Sequence, residues 1–126
     1  MNEKMINILY IEDEADLIEL VTLLLERSGN YKVIATNQGE EGVNLAKERK
    51  PDVILLDLMM PNIDGWDVFR QIREEEETKS IPIVIITAKA QGIDRVLGLE
   101  IAKADGYITK PFDPNELFTV IDEVLH

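Results

Sequence analysis

The sequence contains no cysteine, which rules out disulfides, thiolate metal sites and cysteine nucleophiles together. Its only histidine is His126, the last residue, so a serine-histidine triad, a histidine-rich zinc site and a well-positioned phosphohistidine are excluded too. Long hydrophobic runs are also missing: nowhere do 18 apolar residues follow one another, as a membrane-spanning helix requires. The opening "MNEKMINILYIEDE" meets acids too soon for a signal peptide, and the expected location is cytoplasmic. Basic residues are scarce, 13 Lys and Arg against 25 Asp and Glu for a net charge of -12. That balance repels nucleic acid and anionic membranes and favours cations or basic partners. Any chemistry must use carboxylates, hydroxyls, lysines and the backbone.

What is present is a regular alternation within 126 residues, the length of one domain. Five short apolar runs, near 6–11, 32–36, 53–57, 83–87 and 105–109, read as strands, and each is followed by a helix-like stretch. The first helix keeps Leu17, Val21 and Leu24 at helical spacing and stops at Gly29-Asn30. The second, "GEEGVNLAKERK", ends before Pro51, and the third, "DGWDVFRQIREEEE", buries Val68, Phe69 and Ile72 and finishes in an acidic run. A fourth is expected around Ile93, Val96 and Leu97, weakened by Gly92 and Gly98 and the most mobile of the set. The last opens with Asp113 as cap, Pro114 at the first helical position and Glu116, then carries Leu117, Ile121 and Val124. Strict alternation with short connections implies a parallel sheet covered on both faces, since each crossover must pass over one face.

In such a sheet, ligands bind outside the carboxyl ends of the strands. The first strand runs out into Glu12-Asp13, the third into Asp57, the fourth into Thr87-Ala88 and the fifth into Lys110-Pro111. Each residue has an ordinary reading: Asp57 as a turn former, Asp13 as a helix cap, Thr87 as a strand residue, Lys110 as a solvated side chain, and Tyr107 as a core aromatic. Their coincidence at one sheet edge favours a site. Three clustered carboxylates repel, so either one is protonated or a cation lies among them. With oxygen donors alone, a hard ion is indicated, and Mg²⁺ suits an open site that keeps waters and takes a phosphoryl oxygen.

At these residues the chain resembles the receiver domain of two-component response regulators, in the single-domain, chemotaxis-regulator-like form. "ILYIEDE", "PDVILLDLMMPNIDGWDVFRQIR", "IPIVIITA" and "KADGYITKPF" follow the family pattern in order, and the similarity spans essentially all of residues 1–126. The resemblance implies an α/β fold, (βα)5, with a doubly wound five-stranded parallel sheet in flavodoxin-like order 2-1-3-4-5, a three-layer sandwich. It implies that Asp57 is the phosphoacceptor, taking a phosphoryl group from the phosphohistidine of a sensor histidine kinase or phosphotransfer protein. Asp13, Asp57 and the backbone carbonyl of Met59 would ligate Mg²⁺, with Glu12 assisting through water. Thr87, the Ala88 amide and Lys110 would contact the phosphoryl group. Thr87 would then move inward and Tyr107 rotate from exposed to buried, reshaping the fourth helix, fifth strand and fifth helix for a downstream protein effector. The domain is expected to bind no nucleic acid or membrane itself, to be monomeric with a possible dimer on phosphorylation, and to be a self-phosphorylating and self-dephosphorylating switch, not a turnover enzyme.

Departures from the family pattern are few. Glu12 stands where many relatives carry aspartate, Lys103 and Gly106 replace residues often seen as glycine and aspartate, and Pro111 suggests a cis Lys110-Pro111 bond. A haloacid-dehalogenase-type phosphatase would need a second aspartate where Met59 stands, and a flavin module would need a hydroxyl- and glycine-rich loop where "EDEAD" stands. Whether the domain acts alone or belongs to a longer DNA-binding or enzymatic regulator is left open, as are the kinase, the pathway and the lifetime of the phosphate. Lys89 and Met59 are positions from which a side chain could obstruct attacking water.

Overall fold

The structure, a computed structural model, describes residues 4–61, 63–88 and 103–126. Five strands, β1 (Ile6–Ile11), β2 (Tyr31–Thr36), β3 (Val53–Asp57), β4 (Ile83–Thr87) and β5 (Gly106–Thr109), form one sheet in the order β2-β1-β3-β4-β5. All four neighbouring pairs are parallel. This is the flavodoxin-like doubly wound arrangement expected. The strands coincide with the predicted runs to within one residue at each end. The helix expected around Ile93, Val96 and Leu97, and Lys89 with it, lie outside the described residues.

The helices divide between the two faces of the sheet, and the period-2 alternation of each strand shows which side chains go where. Helices α2 (Gly39–Arg49) and α3 (Gly65–Glu74) cover Leu9 and Ile11 of β1, Ile54 and Leu56 of β3, and Ile83 and Ile85 of β4. Helix α1 (Ala15–Arg27) and the C-terminal helix α4 (Pro114–Leu125) cover the residues between them: Ile8, Tyr10, Val53, Leu55, Val84 and Ile86. Continuing the alternation past the apolar residues carries Glu12 and Asp57 to the α1/α4 side and Thr87 to the α2/α3 side, where Tyr107 also packs.

Two helices depart from the expectation. In α1 the buried positions are Val21 and Leu25, not Leu24. The consecutive leucines at 23–25 leave the phase of the apolar stripe open, and packing settles it on Leu25 while Leu23 stays 51% exposed. Helix α3 ends at Glu74, so Glu75 to Glu77 are not helical. Successive carboxylates at the negative end of the helix dipole oppose its extension. The buried Thr78 hydroxyl instead donates to the Ile72 carbonyl (2.6 Å) and turns the chain back. The cap predicted at Asp113 holds, its side chain accepting from Glu116 N ahead of Pro114, and Asp64 caps α3 by accepting from Trp66 N and Asp67 N.

Candidate functional site

Parallel strands end together, so the acids that follow β1 and end β3 meet beside the lysine that follows β5. Carboxylate oxygens of Glu12, Asp13 and Asp57 all lie within 4.8 Å of one another. Glu12 is wholly buried and Asp57 1% exposed. The Lys110 ammonium reaches into the group, donating to Glu14 Oε2 at 2.7 Å and to Glu12 Oε2 and Asp57 Oδ2 at 3.0 Å each. Its backbone N–H is tied to Thr87 O (2.9 Å), and the Lys110-Pro111 bond is cis, as expected. Asp13 does not cap α1: the capping position falls on Glu14, which makes no side-chain cap bond.

Asp57 combines its two readings. Oδ1 accepts the Met59 N–H (2.8 Å), the bond a turn-forming aspartate makes, while Oδ2 faces Lys110. With both oxygens held, the carboxylate plane is fixed. The loop after it is fixed as well, because α3 begins against it: a Cβ on Gly65 would lie 2.5 Å from Leu58 Cα, so only glycine permits that approach. Met59 turns its side chain outward, 53% exposed, leaving its backbone as the only part able to serve the pocket. On the other side, Thr87 and Tyr107 line a cavity of ≈ 500 Å³ with Met59, Met60 and Trp66. Tyr107 is already buried, 5% exposed, which is the state expected of it after phosphorylation. Lys103 takes a left-handed backbone (φ 64°), and Gly106 opens β5.

Among the described residues four acids face one base, and the electrostatics follow from that. Burial, reinforced by the neighbouring Asp57, pushes the Glu12 carboxyl up to about 7. Burial alone would lower Lys110, but its hydrogen bonds to Glu14, Asp57 and Glu12 outweigh it and hold the ammonium charged above its ordinary range. The donor set is oxygen only, and octahedral Mg²⁺ at its usual bond lengths holds ligand oxygens about 3 to 4 Å apart. The spread of the three carboxylates fits such an ion, and their excess negative charge calls for one.

Two participants were not foreseen. Glu14, given no role in the site from the sequence, makes the shortest contact to Lys110. Tyr10, buried one residue before the end of β1, donates its hydroxyl to Glu12 Oε1 at 2.8 Å. The signal was its place two residues before Glu12, on the same strand face.

Comparison with known proteins identifies the family. The sequence profile described as response regulator receiver domain matches residues 8–122, and the chain belongs to that family. Its general role is therefore that of a phosphoryl-accepting signalling module. The chain is 43% identical over 125 residues to the alkaline phosphatase synthesis transcriptional regulatory protein PhoP of Bacillus subtilis, covering 99% of this chain and 49% of that one. It is 38% identical over 121 residues to PilH of Pseudomonas aeruginosa, covering 96% and 98%. A solved receiver domain, that of sensor histidine kinase PA1611 of P. aeruginosa PAO1, superposes with a TM-score of 0.85 at 31% identity over 96% of this chain and 98% of that one. That structure holds a magnesium ion coordinated in its active site cleft. The chain spans about half the length of several curated regulators it matches, PhoP among them.

Proposed function

We propose that Asp57 is the phosphoacceptor of a signalling switch. The observation that carries this is its placement: a buried carboxylate at the end of a core strand, gripped by Lys110 at 3.0 Å and flanked by two more acids. An Asp57 oxygen attacks the phosphorus of a phosphohistidine in a sensor kinase or phosphotransfer protein. The new O–P bond makes an acyl phosphate, the N–P bond breaks, and the imidazole leaves. Mg²⁺ bound by Asp13, Asp57 and the Met59 carbonyl, with Glu12 assisting, would neutralise charge on the transferring oxygens. Lys110, released from part of its carboxylate contacts, pairs with the phosphoryl group, and Thr87 and the Ala88 amide donate to it. Because little covalent chemistry falls to the protein, positioning and charge do most of the catalysis.

The added charge of roughly -1.5 to -2 draws Thr87 toward the phosphoryl group. Thr87 and Tyr107 share one cavity, so movement of one changes the space open to the other, and the surface around β5 and the last helix is the output read by a protein effector. The net charge of -12 argues against direct contact with nucleic acid by this domain, and no described helix is long and apolar enough to cross a membrane. The near-complete overlap with PilH supports the first reading, a receiver that acts by protein contact as a single domain. The half-length overlap with PhoP supports the second reading, the receiver part of a longer regulator. Turnover of an external phosphate ester is disfavoured because Met59 stands where a phosphatase of this chemistry needs its acid.

The test is mass spectrometry after incubation with acetyl phosphate and Mg²⁺. The wild-type protein gains one phosphoryl group, lost at alkaline pH, and Asp57→Asn gains none. Equal labelling of the variant places the acceptor elsewhere.

A further inference from the structure

We propose that Tyr10 is a positioning residue of the acidic pocket: its hydroxyl anchors Glu12 through Oε1 and so turns Oε2 alone toward the cation. The proposal rests on the pocket reading above and concerns a residue that reading does not use.

The buried hydrophobic residues that share Tyr10's side of the sheet, Ile8, Leu25, Leu55, Ile86 and Ile121 among them, are all aliphatic. A phenol in such surroundings needs a partner, or its hydroxyl is an orphan. Phenylalanine would fill the space equally well, so filling space does not account for the hydroxyl. Its partner is the carboxylate two residues along the same face. Two residues of strand span about 6.6 Å, close to the reach of a tyrosine side chain, so the hydroxyl arrives level with the brim of the sheet. There it meets Oε1 at 2.8 Å.

The two oxygens of Glu12 then divide cleanly. Oε1 takes the Tyr10 hydroxyl, while Oε2 takes Lys110 at 3.0 Å and the Glu14 N–H at 3.3 Å. No buried side-chain oxygen or nitrogen among the described residues is left without a partner. A glutamate has one more rotatable bond than an aspartate, hence more ways to miss the site it must face. Tying one oxygen to a rigid aromatic in the core removes that freedom. Tyr10 and the longer acid thus form a unit, in which the tyrosine makes the glutamate serviceable.

A double-mutant cycle tests this. Mg²⁺ affinity is measured by calorimetry for wild type, Tyr10→Phe, Glu12→Asp and the double variant, with urea unfolding of each. Phenylalanine keeps the core filled, so folding is retained. In the Glu12 background, Tyr10→Phe should lower Mg²⁺ affinity about tenfold, the lower end of what removing an orienting partner does. The rate of phosphorylation by acetyl phosphate at saturating Mg²⁺ should fall by less than about threefold, the mark of lost positioning and not lost chemistry. In the Glu12→Asp background, whose acid is too short to meet the phenol, the same change should alter affinity less than about twofold. Equal losses in both backgrounds would show a merely structural tyrosine, and an unchanged affinity in the Glu12 background overturns the proposal outright. Should wild type itself neither bind Mg²⁺ nor accept phosphate, the pocket reading falls and takes Tyr10 with it. Should wild type do both while Tyr10→Phe matches it, only the Tyr10 proposal falls.

Discussion

The two ends of the sheet both hold charge out of full solvent, in opposite ways. At the amino end, Arg73 of α3 has several partners. Its guanidinium donates to Asp105 Oδ2 (2.6 Å) and to the carbonyls of Ile81 (2.8 Å), Lys79 (3.3 Å) and Lys103 (3.4 Å), and it lies over the Phe69 ring. Asp105 also accepts the Ile83 N–H, so one cation and one anion lock the start of β4, the start of β5 and the end of α3. At the carboxyl end, a single Lys110 serves Glu12, Glu14 and Asp57 at once, with Asp13 beside them. Among the described residues, one end is balanced and the other is left short of positive charge. A surplus of like charge costs stability, and it persists where a ligand is meant to relieve it. The amino end fastens the fold, and the carboxyl end awaits a cation and a phosphoryl group.

If the carboxyl end is short of positive charge, stability should fall there as pH rises, and this is the largest effect expected. The Glu12 carboxyl titrates at about 7 in the folded chain against 4.5 when free. Between these values the folded protein holds the proton more firmly than the unfolded one. The contribution is therefore fully present below about 4.5 and is lost as pH rises through about 7. Relative to Glu12→Gln, wild type should lose up to about 3 kcal/mol between pH 4.5 and 8 in urea melts with chelator. Saturating Mg²⁺ should flatten the trend, because a cation favours the ionised acid. A difference that stays constant with pH would mean the pocket is not short of charge. Next in size, Arg73→Ala should destabilise by about 1 to 2 kcal/mol, by stripping an exposed acid and several carbonyls of their donor. That loss should be indifferent to Mg²⁺, and a Mg²⁺-dependent loss would join the two ends that the comparison separates.

The same contrast explains what was legible in the sequence. The strands were readable because a strand buried on both faces must be apolar throughout, so Val53 to Leu56 and Ile83 to Ile86 announce themselves. The pocket was readable because parallel strands end in register, so a polar residue at each tip points to one place. The Arg73–Asp105 lock was not, since its partners are 32 residues apart and an arginine late in an amphipathic helix looks like any solvated one. Nor was the early end of α3: glutamates favour helix taken singly, and the stop comes from their mutual charge and from Thr78 folding back onto Ile72. Tyr10 was hidden by its own hydrophobicity, because an aromatic within a strand counts as core unless the polar partner of its hydroxyl is known.

The sharpest form of the comparison makes one chemical change at both ends. Asp57→Asn and Asp105→Asn each replace a carboxylate with an amide of the same shape, and each carboxylate has one basic partner, Lys110 at 3.0 Å and Arg73 at 2.6 Å. Counting pairs would predict a loss in both. Asp57, however, competes with Glu12, Asp13 and Glu14 for one ammonium, so removing its charge relieves more repulsion than it sacrifices attraction. Asp57→Asn should therefore stabilise the chain by about 1 kcal/mol in chelator, the usual signature of a site held ready at the expense of stability. Asp105 has Arg73 to itself, and Asp105→Asn should destabilise by about 1 kcal/mol, the Ile83 bond surviving to the amide oxygen. Urea midpoints that move in opposite directions would locate the surplus charge at the carboxyl end. If both variants lose stability alike, Lys110 suffices for all its acids, and the need for a cation in the pocket has to be argued on other grounds.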